Sequence, residues 1–135
     1  MVGKLSGRRR KRQAWRWASG GAAHAPLAYL LPPRVAARIE RDDLLVSPAV
    51  QLEVQYLHEI GRIRATAEEV FPYLQTAVGL GVCDLSFDRV VSAALGQSWT
   101  HDPFDRLIVA QAAVRGAPLV TRDEHLRARY SKATW

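Results

Sequence analysis

From residue 32 onward, apolar and polar positions alternate in short, clearly punctuated segments. Pro33 followed by Val35, Ala36 and Ile39 predicts a short helix ending near Arg41. Leu44-Leu45-Val46 is apolar throughout and bounded by turn formers, the pattern of a short buried strand. Ser47-Pro48 joins an N-cap to a proline at the first helical position and opens a helix to about Ile60, closed by Gly61. Thr66-Ala67-Glu68-Glu69 is a capping box ahead of Val70, Phe71, Leu74 and Val78, so a further helix is predicted, with Pro72 tolerated in about its first turn. A second strand is expected over residues 81–85, and Ser86 is placed to cap a short helix carrying Val90, Val91 and Leu95.

Asp102-Pro103-Phe104-Asp105 has the form of an N-cap, an N1 proline and an N3 acid. It leads into Leu107, Ile108, Val109, Ala112 and Val114, and Gly116 ends the helix. Residues 118–121 then read as a strand and residues 124–129 as a terminal helix or turn. Strands separated by helices imply an α/β fold, a parallel sheet with helices on both faces. Residues 1–31 follow no such pattern: a basic run, Trp15 and Trp17, and a small-residue stretch show neither helical nor alternating period. We therefore divide the chain into an irregular basic arm, 1–31, and a domain, 32–135, in which only residues 27–31 of the arm look foldable.

Charge sharpens this division. The net charge of +6 rests on seven basic residues within 1–31, which contain no acid, while the remainder carries 12 basic against 13 acidic residues. The basic run and two tryptophans could bind nucleic acid through phosphates and base stacking, or be a plain tail. A single cysteine, Cys83, excludes an internal disulfide and a zinc ribbon. With no apolar run long enough for a membrane helix and no signal-peptide core, the expected location is cytoplasmic, with no membrane partner.

Two acids sit where a surface helix would not place them. Glu53 has Ala49 and Val50 one turn before it and Tyr56 and Leu57 one turn after, and Asp105 shares a face with Ile108, Val109 and Ala112. A carboxylate turned toward a core costs several kcal/mol unless it is paired. The partner could be a divalent cation; it could equally be an arginine for Glu53, or the helix N-terminus for Asp105. Asp123 follows a strand at its carboxyl end, where open sheets place ligand sites, although a turn aspartate is an equally ordinary reading. If the three converge, hard oxygens without a His/Cys set select Mg²⁺ or Mn²⁺, which activates water and neutralises a phosphodiester. None of the four histidines has zinc-site spacing, and His58 is expected to face solvent.

The stretch from Thr100 through Asp102-Pro103-Phe104-Asp105-Arg106 to Ala112, followed by Leu119-Val120-Thr121-Arg122-Asp123, closely resembles the C-terminal half of PIN-domain proteins of the VapC toxin type. Leu45-Val46-Ser47-Pro48-Ala49 leading to Leu52-Glu53-Val54 resembles that family's second strand and following helix. The resemblance spans about residues 32–130. It implies a three-layer α/β/α fold with a mostly parallel central sheet, and an Mg²⁺- or Mn²⁺-dependent endoribonuclease acting on RNA and held in check by a cognate antitoxin. A homodimer is a further family expectation. The resemblance assigns catalysis and metal binding to Glu53, Asp105 and Asp123, with Asp102 accessory and with Arg106, Thr121 and Arg122 toward substrate, although Arg106 and Arg122 could equally pair with Asp102, Glu124 or Glu53.

One departure stands out. The family's first strand ends in an aspartate, written L-D-T or L-D-S, whereas no acid precedes Glu40 here. The first strand is therefore expected to be absent or atypical, with residues 27–31 as a substitute between Pro26 and Pro32. The abrupt change of composition near residue 31 suggests a frameshift or altered start. Three carboxylates instead of four leave two alternatives to an active enzyme: an inactive remnant that still binds an antitoxin, or nucleic-acid binding through the arm.

Overall fold

The computed structural model describes residues 2–4 and 31–135. Its helices begin largely where the capping chemistry lies. Helix α1 (Pro33–Arg41) starts on a proline and buries Val35, and strand β2 (Leu44–Val46) follows. Ser47 accepts a hydrogen bond from Ala49 N to open α2 (Pro48–Glu59), and the Thr66–Glu69 capping box is formed at the start of α3 (Ala67–Val78). Pro72 lies deeper in α3 than its first turn. The carbonyl it leaves without an amide partner belongs to exposed Glu68, where water can satisfy it. Gly79 then closes α3 in the left-handed conformation, φ +68°, which a side chain would oppose.

Beyond α3 come β3 (Gly81–Val82), α4 (Phe87–Ala94), α5 (Pro103–Arg115), β4 (Leu119–Val120), α6 (Glu124–Arg129) and β5 (Ala133–Thr134). Strand β3 is shorter than the pattern implies. Ser86 occupies the N-cap position of α4 without a side-chain cap bond. Asp102 caps α5 by accepting from Phe104 N at 2.8 Å and Asp105 N at 3.4 Å, and Asp123 caps α6 by accepting from His125 N at 2.7 Å and Leu126 N at 3.1 Å.

Helix α5 is the structural axis. Ile108, Val109, Ala110, Gln111 and Ala112 are all buried, because the helix is covered from both sides. Ile108, Val109 and Ala112 join the main core with Leu44, Val46, Val50, Leu80, Leu119 and Leu126, while Ala110 meets Val90 and Ala94 of α4. At its far end Arg115 donates Nε to the buried Cys83 Sγ and pairs with Asp84, tying α5 to the end of β3.

The five strands form one sheet in the order β3-β2-β1-β4-β5, with β1 spanning Val2–Lys4. Pairings β2–β3 and β4–β5 are parallel, and β1 is antiparallel to both neighbours, so four strands run one way and the central one runs back. The fold is α/β and consistent with a PIN fold. The first strand is present but reversed, and it arises within the segment read as an irregular arm. Residues 27–31, expected to substitute for it, fall outside the described residues except for Leu31, which is not in a strand. The physical reason is that the gap between β2 and β4 requires backbone donors and acceptors, and a three-residue segment supplies them whatever its side-chain pattern.

Gly3 is paired with Leu45 on one side and Leu119 on the other. Gly3→Pro removes an amide from the centre of the ladder and is expected to lower unfolding stability by about 1–3 kcal/mol, measured by urea denaturation. An unchanged midpoint would show that Val2–Lys4 does not pair between β2 and β4.

Candidate functional site

The topology gathers the carboxylates at one end of the sheet. Strand β2 leads through Ser47 into α2, which carries Glu53, and β4 leads through Thr121 to Asp123. The N-terminus of α5 brings Asp102 and Asp105. Tyr56 of α2 and Phe104 of α5 pack with ring centroids 6.3 Å apart at a 31° tilt, which locks together the two helices that bear Glu53 and Asp105.

Electrostatics show that these groups sense one another. Burial pushes the Glu53 carboxyl above the ordinary glutamate range, and the charges of Asp102, Asp105 and Asp123 add to the rise. Burial likewise raises Asp105, reinforced by Asp102 and Asp123 and partly offset by a hydrogen bond from Thr100 and by His125. Asp102, read from sequence as accessory, is the first-ranked charged neighbour of both half-buried acids. The signal for it was present in its spacing, since an N-cap acid three residues from an N3 acid shares the first helical turn.

The neighbouring side chains are more committed than sequence suggests. Arg106 donates Nε to the Thr100 carbonyl at 2.7 Å. Thr121 is only 3% exposed, and its hydroxyl accepts from Asp123 N at 3.1 Å, so it fixes the backbone that presents Asp123. Arg122 is exposed and has no ion-pair partner among the described residues. His58 does not simply face solvent: its Nδ1 is buried on α2. Thr100, which touches Asp102, Asp105 and Arg106, was not singled out by sequence.

The donor set suits a hard divalent cation in charge and in chemistry, because burial and the charges of Asp102 and Asp123 disfavour ionisation of Glu53 and Asp105. In the present arrangement no three His, Cys, Asp or Glu side chains among the described residues are gathered closely enough to hold an ion. Asp102 and Asp123 each use one oxygen, Oδ1, in a helix cap, which leaves each a second oxygen.

Residues 31–132 match the PIN domain. The chain belongs to the PIN domain family. This is a family of nucleases whose members typically use divalent metals, and the acids of this PIN domain stand in that context. Comparison with curated proteins and with solved structures gave no match. No helix among the described residues is long and apolar enough to cross a membrane.

The raised carboxyls set the sign of a pH effect. Because Glu53 and Asp105 have folded-state pKa values above their unfolded values, the penalty is absent below the unfolded values. It grows as pH rises through the window between the two and is complete above the folded values. In the metal-free protein the contribution of these two groups is therefore destabilising as pH rises through the carboxylate range, opposite in sign to that of Glu69 and Asp88, whose carboxyls are lowered by hydrogen bonds. At pH 7, Asp105→Asn should raise its Tm by about 2–4 °C by scanning calorimetry. A fall in Tm would mean that the charge of Asp105 is mainly structural.

Proposed function

We propose that this PIN domain is a VapC-type endoribonuclease that hydrolyses RNA phosphodiester bonds with Mg²⁺ or Mn²⁺. The reading rests above all on the mutual repulsion of Glu53, Asp102, Asp105 and Asp123, brought by three elements to one end of the sheet. Glu53, Asp105 and Asp123 are the proposed ligands, with Asp102 beside them. Bound there, the cation supplies activation of water and neutralisation of phosphate charge. The chain's own part is to orient. Thr121 holds the Asp123 backbone, the α5 cap fixes Asp105 in the first helical turn, and Arg122 stands free beside Asp123 to meet a phosphate.

A second reading has its own support. The chain has no acid before Glu40, and β1 runs opposite to its neighbours, so the family's strand-end aspartate has no counterpart. In this reading the PIN body keeps a protein-binding role toward an antitoxin or a second copy of itself. Leu52 and Tyr56, exposed at i and i+4 on α2, and Ile60 at its C-cap offer exposed apolar side chains for such a partner. The arm's Arg8–Arg12 run, Trp15 and Trp17, on which a nucleic-acid role would rest, lie outside the described residues.

Calorimetric titration of Mn²⁺ alongside cleavage of total RNA separates the two. The nuclease reading expects metal binding and metal-dependent cleavage. Asp105→Asn should cost more than the roughly 10–100-fold lost when only an outer partner of a metal ligand is removed. A folded chain that neither binds Mn²⁺ nor cleaves RNA leaves the binding role.

A further inference from the structure

The segment between α4 and α5 contains a small hydrogen-bonded hub. Thr100 Oγ1 accepts from Asp102 N at 3.1 Å and donates to Asp105 Oδ2 at 3.4 Å, while the Thr100 carbonyl accepts from Arg106 Nε at 2.7 Å. One threonine thus touches, through three separate bonds, the N-cap residue, the N3 acid and the arginine that follows it.

The arrangement constrains the hydroxyl. With an amide N–H directed at one of its lone pairs, the Thr100 hydroxyl turns its single proton toward the carboxylate. That long contact engages Oδ2 of Asp105, while Oδ1 makes no hydrogen bond among the described residues. The Arg106 clasp holds the Thr100 backbone from the other side, so the hydroxyl cannot drift away from the helix start. A β-branched residue adds stiffness at χ1 that a serine lacks.

The geometry points to Thr100 as a positioning residue for Asp105, fixing the orientation of a carboxylate that would help to hold a divalent cation. This rests on the nuclease reading above, since the cation is the partner toward which Asp105 is oriented. It also accounts for Arg106: a guanidinium held on a main-chain carbonyl braces the loop, and Arg122 is left as the arginine open to substrate.

Thr100→Val keeps the β-branch and removes the hydroxyl, and Thr100→Ser restores the hydroxyl without the methyl. Mn²⁺ affinity by calorimetry should fall about 10-fold in Thr100→Val and return to within about 2-fold of the parent in Thr100→Ser. On an RNA substrate, kcat should fall while KM stays unchanged, because the loss concerns presentation of an acid and not contact with RNA. Amide exchange at Asp102, read by NMR in the metal-free protein, should accelerate in Thr100→Val and not in Thr100→Ser.

Parent-like Mn²⁺ affinity in Thr100→Val, with the parent still cleaving RNA, overturns the positioning role and leaves the nuclease reading standing. Mn²⁺ binding that weakens in Thr100→Val in a protein that cleaves no RNA supports the positioning role and overturns the nuclease reading. A parent that binds no Mn²⁺ overturns both.

Discussion

Holding carboxylates together against their own repulsion is the constraint around which this end of the molecule is organised. Burial raises the half-buried Glu53 and Asp105 carboxyls, and the charges of Asp102 and Asp123 add to the rise. No surface requirement explains such an arrangement, because dispersing the acids would be cheaper. The chain counters the repulsion mainly with main-chain dipoles. Asp102 lies at the N-cap of α5 and Asp105 in its first turn, where unpaired amides and the helix dipole favour negative charge. Asp123 accepts from two amides at the start of α6. These contacts hold the acids in place without neutralising them.

Packing turns this local chemistry into a shared site. Helix α5 is buried over five consecutive residues, so its N-terminus has little freedom to move relative to the sheet. The Tyr56–Phe104 contact sets α2 against it one turn from Glu53. Thr121 is buried at the end of β4, with its amide bonded to Thr134 O at 3.0 Å and its hydroxyl on Asp123 N. Strand β5 therefore contributes to the site indirectly, by steadying the β4 exit from which Asp123 is presented.

Much of this was legible in the amino-acid sequence, for identifiable reasons. Helix starts write their own signals, and Ser47-Pro48, Thr66 to Glu69 and Asp102-Pro103 each mark one at the correct residue. The misplaced carboxylates were visible because a 3.6-residue period shows which face an acid shares. What escaped was either too short or too non-local to leave a pattern. Strand β5 has two residues and β1 has three, too few to establish an alternation. The Thr100 contacts are close in sequence, yet their meaning depends on Asp105 facing acids from other elements, which no local pattern encodes. Thr121 and Arg106 were recognised as near the site, but sequence could not tell that the Thr121 hydroxyl and Arg106 Nε each bond the backbone.

The reversed β1 separates two demands that the family's first strand meets at once. A gap between β2 and β4 leaves two rows of backbone groups unpaired, and any short extended segment can satisfy them because ladder bonds do not read side chains. Val2–Lys4 does so, with Val2 opposite Val120 and Lys4 opposite Leu44. Its direction places its carboxyl end at the start of β2, away from Glu53, Asp105 and Asp123. The carboxyl end of β1 therefore lies at the opposite end of the sheet from the acids. Sheet closure is restored by backbone chemistry alone, whereas a strand-end ligand needs both a particular side chain and a particular direction. The fold can survive the substitution, then, while the candidate site is left with the four acids on α2, α5 and the β4–α6 connection.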